Sequence, residues 1–421
     1  MVDSICIFEG LYYTRLLPLV YFRPQYDLRC GILTLREKVE KHLPGIPISL
    51  HCRGYLNDTL KQQNPALEVN SISGKSCLFI NGRVIVDESF KDKIKLDGPD
   101  KLFVKGDAIV AAKVSGAKLD SLKHQLSDLF THSDFQDLVK EEVDVKIVNY
   151  PWDLIHANGE QIISDFNVLT KDIKGSKILG KVYDGAYLIN KENIFIGQGS
   201  KIKPGVVLDA EEGPIYIGKN VVVYPNATIE GPACVGDESR IKIGAKIYED
   251  TSIGPVCKVG GEVEASIIHS FSNKQHDGFL GHSYLGMWVN LGADTNNSDL
   301  KNNYGSVKVV INGEQVDSGS MFVGLTMGDH SKSAINTMFN TGTVVGVSSN
   351  IYGGSFPSKY IPSFSWGGSE ALTSYDLERS IDVARRVMQR RKIEMTDVDE
   401  KLFRKIFDLT KEERRKRGMP N

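Results

Sequence analysis

The sequence has only six cysteines in 421 residues, and no two stand close enough for a C-x-x-C pair. Cys6, Cys30, Cys52, Cys77, Cys234 and Cys257 are therefore read as reduced thiols of a cytoplasmic protein, which excludes a disulfide frame and a cysteine zinc site. No apolar run approaches the ~20 residues needed to cross a bilayer. The opening "MVDSICIFEGLYY" carries an early aspartate and no basic stretch, so it is not read as a signal peptide. A dominant sign of charge is missing too. With 51 Lys and Arg against 53 Asp and Glu the formal net charge is −2, so neither nucleic acid nor a membrane surface is an expected partner. The run "KEERRKRG" near the end is mixed with glutamates and reads as a solvated helix end.

What is present divides into three regions. Residues 1–180 read as a mixed α/β domain with a largely parallel sheet. Strands such as "SICIF", "CLFINGRVIV" and "LFVKGDAIVAAKV" alternate with helical patterns in "LTLREKVEKHL" and "AKLDSLKHQLSDLF". Residues 185–355 carry a six-residue step. Ile217, Val223, Ile229, Val235, Ile241, Ile247, Ile253 and Val259 follow one another at that spacing, after Ile196, Ile202 and Leu208. Met327, a displaced Ala334, Phe339, Val345 and Ile351 resume it later. A hexapeptide repeat marks a parallel β-helix, in which each short strand points one aliphatic side chain inward and small residues turn the corners. Residues 370–421 read as a helical tail, with Leu377, Ile381, Ala384, Val387 and Met388 on one face. "YPWDLIHANGEQIISDF" from Tyr150 reads as a further helix with Trp152 as a packing residue.

The repeat is interrupted between about 261 and 326, and interruptions in a solenoid are where loops leave the wall. The interruption holds "QHDGFLGHSYLGMWVNLGADT", Gln275 to Thr295. Together with the ladder, this segment resembles the acetyltransferase half of the bifunctional family that makes UDP-N-acetylglucosamine. A branch called putative glucose-1-phosphate thymidylyltransferases shares both halves. The resemblance implies a left-handed β-helix and a homotrimer. It implies acetyl-CoA as acyl donor and an amino sugar 1-phosphate as acceptor. It places the family's catalytic histidine on His276 and its buried tyrosine on Phe279. Asn290, Asn303, Tyr304 and Lys308 fall on sugar-contacting positions, with His282 as a neighbour. Where the family has a basic pair before the histidine, Ala265 and Ser266 stand.

The N-terminal half resembles sugar-phosphate nucleotidyltransferases. In "TRLLPLVYFRPQ" and the turn before it, Gly10, Thr14, Arg15, Pro18, Leu19 and Pro24 match that signature, and Arg23 lies inside it. The second loop glycine is absent, Gln25 replaces a lysine, and Arg83 stands where an aspartate would hold Mg²⁺. Asp107 follows a strand farther on and is the remaining metal candidate.

Acyl transfer to an amine needs a base titrating near neutrality, donors for the oxyanion, and a held acceptor. His276 is assigned the base, the N–H groups of Gly292 and Ala293 the oxyanion, and Asn290, Asn303 and Tyr304 the positioning. The plain alternative for each is a loop histidine or a corner asparagine that serves only the backbone. Nucleotidyl transfer by the first domain, with the β-helix for assembly, is the rival activity. A non-catalytic sugar-nucleotide scaffold is the third reading.

Overall fold

"SICIF" is apolar after its first residue and buried at every position, as a central strand of an α/β sheet must be. In the computed structural model, which describes residues 2–420, it forms β1 (Ser4–Phe8). β1 pairs in parallel with β2 (Ile48–Leu50) and β4 (Ser76–Asn81). β3 (Glu68–Val69), β5 (Lys101–Lys105), β6 (Ala108–Ser115) and β7 (Lys140–Glu142) complete the sheet, in the order β3-β2-β1-β4-β6-β5-β7. The expected parallel run is broken at "LFVKGDAIVAAKV". Gly106 takes a φ of 57°, so the segment folds back into the β5–β6 hairpin, and β6 runs antiparallel to β4. The helix Leu35–His42 starts where its sequence says, at a Thr34–Glu37 capping box.

The chain forms two compact units. One holds residues up to Leu16, Phe22–Leu28 and Leu33–Asn149, and the other holds Leu17–Tyr21, Arg29–Ile32 and the residues from Tyr150 on. In the second unit, parallel strands stack into the three walls of a β-helix. The first wall runs through nine strands, from Ile194–Ile196 to Tyr360–Ile361. The second begins at Lys181–Val182 and the third at Tyr187–Ile189. The Ile and Val ladder read from the sequence is fully buried in one continuous core. Each such side chain contributes about 1.5–3 kcal/mol by leaving water.

The expected interruption is shorter than the sequence reading had it. Val263 and Leu280 pair on with Ile247, Ile268 and Leu285 with Ile253, and Lys274 with Val259, all at inward positions. Short corners shift the period below six here, and a lysine takes one inward place, so the apolar pattern fades while the wall continues. Lys274 is only 1 % exposed. Asn297 pairs with Phe339 in the same way, and in the strand Lys332–Ser333 the residue paired with Ile351 is Ser333 rather than the expected Ala334. The segment that does leave the wall lies between Ser298 and Leu325. It carries an antiparallel hairpin, Lys308–Ile311 with Glu314–Asp317, whose Val307, Val309 and Ile311 pack with Trp152.

Helices of the same unit reach two of the walls. The helix Pro151–Thr170 lies on the first wall, where Asn158 Oδ1 accepts from Ser252 Oγ at 3.0 Å and Ile162 and Phe166 pack with Phe195 and Cys234. The tail forms helices Leu377–Gln389, Asp397–Leu409 and Lys411–Lys416. Arg391 of the tail donates to Asn273 Oδ1 of the second wall at 2.8 Å. The "KEERRKRG" end is not wholly solvated as expected. Arg414 is fully buried, 3.9 Å over the Phe407 ring, and donates to Thr410 Oγ1 and the Phe407 carbonyl. All six cysteines are free and buried, and among the described residues no helix is long and apolar enough to cross a membrane.

Candidate functional site

The corners of successive coils stack, so the β-helix has continuous edges, and the two histidines singled out in the sequence lie on different ones. His276 is at the edge between the second and third walls. It is exposed, and its side chain has no hydrogen-bond partner among the described residues. Its carbonyl accepts from the buried Lys274 Nζ at 2.7 Å. Asp294 stacks one coil farther, its N–H bonded to the Asp277 carbonyl.

His282 is at the edge between the third and first walls, in a left-handed corner with φ 44°. Its N–H bonds the Glu264 carbonyl of the preceding coil, and its own carbonyl accepts from Gly324. This is where the chain leaves the wall, and the two ends of the excursion flank the imidazole. Asp299 Oδ2 lies 2.8 Å from Nδ1, and the Phe322 ring stacks on the imidazole at 4.8 Å. Asp299 and Phe322 are held by the stem, in which Val323 N–H bonds the Asp299 carbonyl and Leu300 bridges Phe322. His156, from the helix on the first wall, reaches the Phe322 carbonyl at 3.1 Å.

Asparagines of the same coil fix this corner. Asn297 Oδ1 accepts from the Gly281 N–H and Asn297 Nδ2 donates to the Gly281 carbonyl, while Asn296 Oδ1 accepts from the Phe279 N–H. Residue 281 must be glycine, because a Cβ there would sit 2.3 Å from Asp299 Oδ2 and 2.5 Å from the Phe279 ring. With Asp299 on Nδ1, the neutral imidazole carries its proton on that nitrogen and presents the Nε2 lone pair outward. Nε2 has no hydrogen-bond partner among the described residues. Glu264 and Asp250 stand on the same edge, and burial raises both carboxyls above their ordinary range.

The other residues picked from the sequence do not gather here. Asn290 is on the second wall, with Oδ1 accepting from Asn273 Nδ2 at 3.2 Å. The Gly292 N–H is committed to the Ser333 carbonyl and hydroxyl, each at 3.1 Å, which removes it as an oxyanion donor. Ala293 shares that edge with His276. Asn303 and Tyr304 lie exposed in the turn after Asp299, and Lys308 is exposed on the hairpin. Phe279 precedes His282 on the third wall. The sequence reading missed Asp299 and Phe322. A coil of about 18 residues was the available signal, since Asp299 follows His282 by 17.

In the first unit the parallel order β3-β2-β1-β4 places a topological switch point at the carboxyl ends of β1 and β4, where such sheets bind ligands. There Glu9 is fully buried. It accepts from the Gln25 and Arg53 N–H groups and from Arg53 Nε and Nη2, at 3.0–3.2 Å. The Gln25 amide donates to Asn81 Oδ1 at 3.2 Å. Arg83 is buried and donates to the Val148 carbonyl and Asn149 Oδ1. After Gly10, the loop that should cradle phosphate winds into a 3₁₀ helix, Leu11–Leu16, which takes in Thr14 and Arg15. Arg15 lies 4.0 Å over the Tyr12 ring. Arg23 is buried, and its carbonyl accepts from Arg53 Nη2. Asp107 accepts the Tyr12 hydroxyl at 2.6 Å, which holds its carboxyl below the ordinary range.

Residues 5–174 match the family model "Sugar nucleotidyl transferase". The chain is 23% identical over 402 residues to the bifunctional sugar-1-phosphate nucleotidylyltransferase/acetyltransferase of Sulfurisphaera tokodaii, covering 80% of this chain and 88% of that one. It is 28% identical over 292 residues to the bifunctional protein GlmU of Methanocaldococcus jannaschii, with 68% and 56% covered. Against the GlmU of Synechococcus sp. it is 27% identical over 193 residues, spanning 45% of this chain and 37% of the relative. The UDP-N-acetylglucosamine acyltransferase of Campylobacter jejuni is 14% identical over 54% of this chain and 96% of that one, with a TM-score of 0.28. The chain is thus similar, along most of its length, to a bifunctional sugar-1-phosphate nucleotidylyltransferase/acetyltransferase, and its first part matches a sugar nucleotidyl transferase model.

Proposed function

We propose that the β-helix unit of this sugar-nucleotide pathway transferase moves an acyl group from a CoA thioester to the amino group of an amino sugar phosphate. In this reading the base is His282 rather than the sequence-aligned His276. The observation that carries it is the His282–Asp299 pair, with Nε2 left to a substrate at the point where the chain leaves the wall. Asp299 fixes the tautomer and stabilises the imidazolium. Nε2 takes a proton from the amine as nitrogen attacks the thioester carbon. The C–S bond then breaks, and the imidazolium returns its proton to the departing sulfur. Glu264 and Asp250 on the same edge favour an incoming ammonium group. Asn303, Tyr304 and Lys308, exposed beyond Asp299, offer polar side chains to the sugar phosphate.

The test is CoA release from acetyl-CoA with glucosamine 1-phosphate. His282→Asn is expected to lower kcat by ~10²–10⁴-fold, the span of a lost general base, and His276→Asn by less than about threefold. The reverse pattern moves the base to the other edge. Full activity in both variants removes both histidines as the base, and no CoA release by the unaltered chain removes the acyl-transfer reading. Nucleotidyl transfer by the first unit is the second reading, favoured by the family match over residues 5–174; pyrophosphate release from UTP or dTTP with a sugar 1-phosphate tests it.

A further inference from the structure

The geometry points to a first unit that keeps the nucleotidyltransferase sheet but has sealed its switch point, so that it neither holds a nucleoside triphosphate with Mg²⁺ nor transfers a nucleotidyl group.

Three observations carry this. The first concerns where polar groups at the sheet's carboxyl end are spent. A binding site leaves donors and acceptors facing the ligand. Here the Glu9 carboxylate is filled by Arg53 and Gln25, and the Arg53 guanidinium is further enclosed by the rings of Tyr13 at 4.1 Å and Tyr55 at 5.2 Å. Asn81, at the end of β4, accepts from Gln25 and from the Arg83 N–H, and donates to the Ile109 carbonyl at 2.7 Å. These contacts join β1, β4 and β6 to each other. Glu9 and Arg53 are 0% and 2% exposed, so the pair is a closed structural bond rather than a waiting site.

The second concerns space. A cavity at this end, lined by Tyr12, Arg83, Asp107 and His132 among others, measures about 70 Å³. Pockets for ligands of drug size run to roughly 300–1,000 Å³. The 3₁₀ turn after Gly10 places Leu11 and Tyr12 in the lining of this cavity. The Tyr13 N–H, a candidate phosphate donor, is bonded to the Gly10 carbonyl at 3.2 Å.

The third concerns the metal. Mg²⁺ on a nucleotide is held by one or two carboxylates beside the phosphates. The residues present do not fit it. Arg83 brings a positive charge to the end of β4, and the Asp107 carboxylate accepts the Tyr12 hydroxyl.

Calorimetric titration of the full-length chain with UTP, and separately dTTP, in MgCl₂ tests this. The expected result is no saturable heat up to about 1 mM nucleotide and no pyrophosphate with glucose 1-phosphate or N-acetylglucosamine 1-phosphate. Saturable Mg²⁺-dependent binding, or pyrophosphate release, overturns the proposal. The CoA-release assay on the same preparation reads the acyl-transfer proposal separately, so either can fail alone. Glu9→Gln adds a second measurement. As a structural bond its loss lowers Tm by at least about 5 °C and creates no nucleotide binding. A variant with unchanged Tm and altered nucleotide heats would show that Glu9 faces a ligand.

Discussion

His276 and His282 stand six residues apart in one glycine-rich segment, yet they occupy opposite edges of the third wall and have unlike surroundings. The first has no side-chain partner and sits over a buried lysine. The second has a carboxylate on Nδ1, an aromatic ring on its face and two further acids on its edge. Alignment to a family's sequence picks out residue types at a register. A base is made by what holds it, and in a β-helix that is supplied by the next coil. The switch point of the first unit gives the converse case. There part of a family signature survives, but Glu9, Arg53, Gln25 and Asn81 at the ends of the strands bond largely to one another.

The sharpest way to break the contrast between the edges is to remove the partner and keep the histidine. Asp299→Asn leaves the shape of the corner but no longer imposes the Nδ1–H tautomer. The expected loss is ~10²–10³-fold in kcat with KM for the amino sugar changed little, since a mispositioned base acts in the transition state. Equal loss in Asp294→Asn, on the His276 edge, would erase the distinction.

The lysine beneath His276 gives the next largest effect, read in stability. Burial pushes the Lys274 amine down to about 8, with Asp277 and Asp294 opposing, and burial alone pushes Lys332 down to about 8. An unfolded lysine titrates near 10.4. Between about pH 8 and 10.4 the unfolded chain therefore binds more protons than the folded one, and stability rises with pH across that window and is flat below it. Lys274 accounts for about 3 kcal/mol of that rise. Lys274→Met removes the buried charge, so Tm at pH 7 should increase and the rise between pH 8 and 10 should flatten by about half. A lower Tm at pH 7 would mean that the bond from Nζ to the His276 carbonyl outweighs the cost of burial.

Much of the fold is legible because a hexapeptide wall writes one aliphatic residue per strand at a fixed step, from Ile196 to Leu208 and again from Ile217 to Val259. It becomes illegible where the inward residue is polar, at Lys274, Asn297 and Ser333. The sequence therefore shows a long interruption where the structure has a continuous wall and one excursion. The candidate site follows the same division. His282 could be seen, but Asp299 comes into contact only through the stacking of coils, and Phe322 only through the closing of the stem around residues 300–322. In the first unit, Gln25 and Arg83 stand out as replacements within a known pattern. The Glu9–Arg53 bond spans 44 residues and leaves no mark in local sequence.

The smallest effect belongs to Asn290, which the family register marks as a sugar contact. Its side chain accepts from Asn273, which in turn accepts from Arg391 of the tail helices, so its bond ties the second wall to the tail. Asn290→Ala should cost about 1 kcal/mol of stability, the usual net value of one such hydrogen bond, and change KM for glucosamine 1-phosphate by less than about twofold. A tenfold rise in KM with Tm unchanged would put the acceptor on the second wall, beside His276, and would return the catalytic assignment to the edge that the sequence first indicated.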